Sequence, residues 1–107
     1  MTRVSWDPEH IRLDLNGHAG FGEAGSDIVC AGISTLTFAL IRAAAERPEF
    51  MPHIFMNEDE GQIWVQCYPD EEHEDACREM FRVVLAGLEN LRDDFPDYID
   101  IGGYEDG

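Results

Sequence analysis

The sequence predicts an α+β domain: a mostly antiparallel sheet with two helices packed on one of its faces. Three observations carry this. Ile11, Leu13 and Leu15 alternate with polar residues, the period of a half-buried strand. Two apolar runs, Ile54 to Met56 and Gln62 to Tyr68, flank the polar stretch Asn57–Gly61 and read as a hairpin. Two longer segments carry apolar residues at helical spacing and end at Pro48 and Pro96.

Taken in order, Arg3 to Trp6 forms a short strand, Asp7-Pro8-Glu9 turns the chain, and residues 2–16 make a first hairpin. Gly17 to Ser26 is a loop holding Gly17, Gly20, Gly22 and Gly25. A helix then starts with Asp27 as its N-cap. Ile28, Val29, Ile33, Leu36, Leu40 and Ile41 spread over so much of its surface that it is expected to be central and buried. After the second hairpin, Pro69 and Asp70 open a second helix whose early acids suit a helix N-terminus. Ala76, Met80, Phe81, Val84, Leu88 and Leu91 form its inner face. Tyr98 to Ile101 adds a last strand. The order is β-β-α-β-β-α-β, one domain over residues 1–107.

Twenty-three acids against seven Lys plus Arg give a formal net charge of -16. Such a surface repels phosphate backbones and anionic lipid, so neither nucleic acid nor membrane is an expected partner. It either attracts a basic protein or peptide or serves solubility. Cys30, Cys67 and Cys77 are an odd number with no close spacing, which suits a reducing cytoplasm better than a disulfide framework. The first residues lack an apolar signal core, and the longest uncharged run, Ile28 to Ile41, reads as too short to span a bilayer. The expected location is the cytoplasm.

The segment that bears chemistry is Gly17-His18-Ala19, the glycine loop, and Asp27-Ile28-Val29-Cys30-Ala31-Gly32-Ile33-Ser34. With Asp27 as N-cap, Cys30 falls in the first helical turn. There the unpaired backbone N–H groups and the positive end of the helix dipole favour thiolate over thiol. His18, twelve positions earlier, ends the preceding strand and stands where an imidazole can take the thiol proton and later return it to a leaving amine. Spacing alone leaves the alternatives open: a buried structural cysteine and a structural histidine.

The run Gly17, His18, Ala19, Gly25, Asp27, Ile28, Val29, Cys30, Ala31 and Ser34 resembles the ribosomal-processing cysteine protease family, Prp, as does the closing segment Phe95-Pro96-Asp97-Tyr98-Ile99. The resemblance implies a homodimeric α/β protein. It also implies removal of a short N-terminal extension from a bacterial large-subunit ribosomal protein, number twenty-seven, with cleavage beside aromatic residues. By position it gives Cys30 the nucleophile role and His18 the base role, and it implies no cofactor.

Around this pair the residues have paired readings. Asp27 either orients His18 or caps the helix, and the cap is favoured. Ser34, four residues after Cys30, lines the same face and either borders the substrate or bonds nearby backbone. Gly20, Phe21, Gly22 and Gly25 belong to a loop expected to close over substrate. Cys67 and Cys77 read as packing residues. His73 and Cys77 share a helical face, but two ligands do not make a metal site, and none is expected. The rival function is a non-catalytic acidic adaptor that holds a basic ribosomal protein without cutting it.

Overall fold

The computed structural model describes residues 1–17 and 24–103, the side chains of 24–27 excepted. Strands β1 (Thr2–Asp7) and β2 (Arg12–Asn16) precede helix α1 (Ala24–Ala45). Strands β3 (Pro52–Asn57) and β4 (Gln62–Cys67) follow, then helix α2 (Glu74–Asp94) and strand β5 (Ile99–Gly103). The strands make one sheet in the order β3-β4-β2-β1-β5. The β1–β2, β2–β4 and β3–β4 pairs are antiparallel, and β5 lies parallel to β1. A parallel neighbour requires a crossover, and α2 supplies it by carrying the chain from β4 to the far edge.

Pairing register places Val4 beside both Leu15 and Ile101, and Leu13 beside Val65. Because side chains alternate, these residues all point to one face. With Ile99 they join Val29, Ile33 and Leu40 of α1 and Phe81, Val84 and Leu88 of α2 in a single buried core. Trp6 stacks on Phe81 at a centroid distance of 5.4 Å and ties β1 to α2. The opposite face of the sheet is polar and aromatic. There Arg12 grips Asp14 through Nε at 2.8 Å and lies 4.3 Å over the Trp64 ring, which stacks on Phe55.

The two helices touch through small residues. A Cβ on Gly87 would come within 2.6 Å of Leu36, and one on Gly32 within 2.9 Å of Leu91. Each glycine thus admits a leucine from the other helix.

Five expectations are corrected. Helix α1 begins at Ala24, three residues before Asp27, so Asp27 lies inside the first turn and is not the N-cap. Gly25 belongs to that turn and not to the preceding loop. Nor is α1 buried all round: Val29, Ile33, Leu40 and Ala44 face the core, while Ile28 and Phe38 are 61% and 46% exposed. Its apolar span also outlasts the uncharged run. Ile28–Ala45 has a mean hydropathy of 1.8, enough by length and composition to cross a membrane, because one arginine does not end an apolar helix. Finally, Ile11 lies outside β2. It adopts a left-handed φ of 51°, strained for a β-branched residue, and is held there by near-complete burial.

On α2 the inner face is Cys77, Phe81, Val84 and Leu88; Cys77 takes the place expected of Ala76, which is exposed. Asp70 caps the one-turn helix Glu71–His73 that leads into α2, accepting the His73 backbone N–H at 3.1 Å.

Candidate active site

Helix α1 crosses the helix-side face of the sheet near the end of β2 and the start of β4. Between them lies a cavity of about 240 Å³. Residues Cys30, Ser34, Thr37 and Phe38 of α1 form one wall. Their spacing of i, i+4, i+7 and i+8 puts them on one helical face. The opposite wall comes from Leu15 and Gly17 at the end of β2, from Met56 to Glu58 at the end of β3, and from Gln62 and Ile63 at the start of β4.

Cys30 is a free, partly buried thiol on that wall. As the seventh residue of α1 it stands in the second turn, one turn deeper than the sequence implied. Helical geometry commits its own N–H to the carbonyl of Ser26. The N–H groups without helical acceptors include those of Ala24, Gly25 and Ser26, and these are donors available to an anion near the helix start. Ser34 is exposed at the cavity wall one turn beyond the thiol. His18, Gly20, Phe21 and Gly22 lie outside the described residues, as does the side chain of Asp27.

The residue before His18 is well fixed. Gly17 has φ +92°, and a Cβ there would sit 2.6 Å from the Met1 carbonyl oxygen. Its N–H donates to the Gly61 carbonyl at 2.8 Å, and its own carbonyl accepts the Thr2 hydroxyl at 3.3 Å. Two segments, the Met1–Thr2 start of the chain and the β3–β4 turn, therefore clamp the point at which the chain leaves β2 for His18, and Gly17 itself lines the cavity.

The other cysteines are placed differently. Cys67 on β4 and Cys77 on α2 are buried and in contact, and the hydrogen bond to Cys77, together with burial, pushes the Cys67 thiol far up. Such a thiol stays protonated and inert. His73 is engaged by Asp70, with Nδ1 2.6 Å from Oδ1. Among the described residues no group of three or more His, Cys, Asp or Glu is arranged to hold a metal.

Sequence reasoning did not find Thr37, Met56, Glu58 or Gln62. Thr37 was within reach of it, since it lies seven residues after Cys30 on the same helical face. The others reach the cavity only through the pairing of β4 with β2 and of β3 with β4.

A half-buried thiol at the edge of a cavity, on a helix laid over an α+β sheet, is an arrangement that a thiol hydrolase can use. Comparison with known proteins makes the class specific. The family model described as cysteine protease Prp matches residues 1–100, and the chain belongs to that family. The ribosomal processing cysteine protease Prp of Bacillus subtilis is 29% identical over 98 residues, covering 89% of this chain and 87% of its own. The Staphylococcus aureus protein of the same name is 26% identical over 85 residues, covering 79% and 78%. A crystal structure from Streptococcus mutans superposes with a TM-score of 0.74 at 26% identity, covering 95% of this chain and 90% of that one. The fold is also that of the S. aureus ribosomal processing protease Prp in complex with a substrate peptide: TM-score 0.78 and 21% identity, over 96% of this chain and 97% of that one.

Proposed function

We propose that this protein is a cytoplasmic cysteine endopeptidase that removes the N-terminal extension of a bacterial large-subunit ribosomal protein, number twenty-seven, cutting beside aromatic residues. The observation that carries the proposal is the position of Cys30: a free thiol, open to solvent, on the wall of a cavity large enough for a substrate side chain.

In this reading His18 takes the Cys30 proton, and the thiolate attacks the peptide carbonyl. The oxyanion is met by N–H groups of the first turn of α1. The imidazolium then protonates the leaving amine, and water hydrolyses the thioester. No cofactor takes part. The clamp on Gly17 supports the role of His18, because it fixes the backbone one residue away. Asp27 and Ser34 support the pair, and the segment holding Gly20, Phe21 and Gly22 closes over substrate. A peptide substrate is in keeping with the complex formed by the S. aureus relative.

The hairpin loop Glu58-Asp59-Glu60 stands beside the cavity, with Glu58 on its wall. Together with a net charge of -16 it favours encounter with a basic substrate. The protein acts as a homodimer, a reading supported by the exposed apolar Ile28 and Phe38 of α1.

The test mixes the protein with the extended ribosomal protein and follows its mass, with Cys30→Ala and His18→Ala as controls. Cleavage by the wild type and by neither variant supports the peptidase. Binding without cleavage by all three favours the acidic adaptor, which needs neither residue.

A further inference from the structure

We infer that the outer edge of β3 is a binding site for extended peptide backbone: the substrate segment on one side of the cleaved bond joins the sheet as a further strand, running out from the Cys30 cavity along residues 54–57. The inference rests on the peptidase reading and deepens it by naming what holds the substrate beyond the reacting bond.

The starting observation is an unguarded edge. β3 lies at the end of the sheet, and among the described residues β4 is its only strand neighbour. One side of its backbone therefore presents N–H and C=O groups that no strand of the sheet takes up. Native proteins blunt such an edge with charge, a bulge or a covering element. The chain is 28% charged, yet Pro52-His53-Ile54-Phe55-Met56-Asn57 contains no Asp, Glu, Lys or Arg. Its register with β4 is unbroken from Pro52 to Asn57, so no bulge twists it away. Pro52 guards only the first position. Ile54, Phe55 and Met56 are 38%, 40% and 40% exposed, so neither face is covered. The opposite edge is treated differently: on β5 the exposed Asp100 lies 3.6 Å from Arg3, and two glycines end the strand. One edge is charged and the other is left apolar, which is how a strand that receives a partner is built.

The cavity says which partner. Met56 and Asn57 line the cavity that Cys30 lines, and Glu58 continues that wall. A peptide with its reacting carbonyl at Cys30 leaves the cavity beside the end of β3. Extended chain advances about 3.3 Å per residue, so about four residues of it lie against positions 54–57. Ile54 pairs with the core residue Val65 and Phe55 with Trp64, which puts Ile54 and Met56 on the helix side of the strand and Phe55 on the open side. The side chains of an added strand alternate in the same way, so it meets apolar surface on both faces while its backbone takes up the free edge. The rival occupant is β3 of a second copy, which satisfies the edge but leaves unexplained why the edge leads into the cavity.

The experiment uses Cys30→Ala protein and a peptide spanning the proposed cleavage site. Amide hydrogen exchange is read residue by residue by NMR, with and without saturating peptide. The alternate β3 amides that point away from β4 are expected to slow by about tenfold or more, while those bonded to β4 change little. In parallel, each peptide amide is N-methylated in turn. Methylation at every second residue of one half of the peptide is expected to weaken binding on the order of tenfold and at the residues between to do little, because alternate amides of a strand face its neighbour. Peptide that does not bind, peptide that binds without slowing any β3 amide, or methylation effects without alternation overturns the inference. Protection of the same amides in the free protein that disappears on dilution also overturns it, by assigning the edge to a second copy. Cleavage by the wild type with β3 unprotected removes the edge and leaves the peptidase; peptide-dependent protection of β3 without cleavage removes the peptidase and leaves the edge.

Discussion

The amide of Gly17 donates to the carbonyl of Gly61 at 2.8 Å, joining the end of β2 to the loop of the β3–β4 hairpin. Gly17 immediately precedes His18, and Gly61 lies on the wall of the same cavity. Both have positive φ, +92° and 64°. The contact thus depends on two backbone conformations that side chains disfavour.

Gly17→Ala tests this clamp. A Cβ would meet the Met1 carbonyl oxygen at 2.6 Å, and backbone cannot step aside as a side chain can. Unfolding free energy is expected to fall by about 2 kcal/mol, the upper part of the range for a side chain forced into positive φ. If His18 is the base proposed above, peptide cleavage is expected to fall further than the unfolded fraction explains, because the substitution disturbs the backbone next to it. Urea denaturation and turnover measured on the same sample separate the two effects, and an alanine variant with native stability and turnover contradicts the clamp.

The helix pair gives a prediction whose sign depends on background. Alanine gains about 1 kcal/mol over glycine in a helix interior. At Gly87 it also collides with Leu36 Cδ2 at 2.6 Å, and overpacking costs about 1–3 kcal/mol. Gly87→Ala is expected to destabilise the wild type and to stabilise the Leu36→Ala variant, where the obstruction is gone. A double-mutant cycle by denaturant titration reads the coupling. The same sign in both backgrounds contradicts the packing described.

The cysteines predict selective alkylation. Cys30 is partly exposed, whereas Cys67 and Cys77 are 2% and 0% exposed. Iodoacetamide on the folded protein is expected to add one mass increment, removed by Cys30→Ala, with the other two appearing only in denaturant. Early labelling at Cys67 or Cys77, located by peptide mapping, contradicts the burial.

The Asp70–His73 pair predicts a pH dependence. The hydrogen bond to Asp70, and then its charge, raises His73 above its ordinary 6.5; the same hydrogen bond lowers Asp70 below 3.8. The His73 contribution to stability is therefore complete below pH 6.5 and fades as pH rises through the raised value. That of Asp70 is complete above pH 3.8 and is lost as pH falls through the lowered one. Proton NMR is expected to show His73 titrating above 6.5 and moving back toward it in Asp70→Asn. Identical titrations contradict the pairing.

Both hairpins were legible because their signal is local: alternation on either side of a polar turn. The inner face of α2 was legible through its period, displaced only at Cys77, and both helices stop where proline demands. The start of α1 was not. Asp27 is a good N-cap by type, but three further residues are helical before it, and residue preference alone cannot exclude them. Ile11 reads as strand because its type and alternation agree. Burial overrides that preference and puts it in a left-handed turn, in the position that Gly61 fills in the other hairpin.

The sequence by itself determined the α+β class, the two hairpins, the second helix and the identity of the one cysteine set apart by its motif. Strand order, the parallel placement of β5 beside β1, the exposed outer face of α1 and the union of Thr37, Met56 and Gln62 around Cys30 were decided by tertiary structure. The reason is range. A turn or a helical period involves neighbours along the chain, and their preferences are written in residue types. Which strand lies beside which depends on apolar surface shared between segments dozens of residues apart, and no local pattern records that choice.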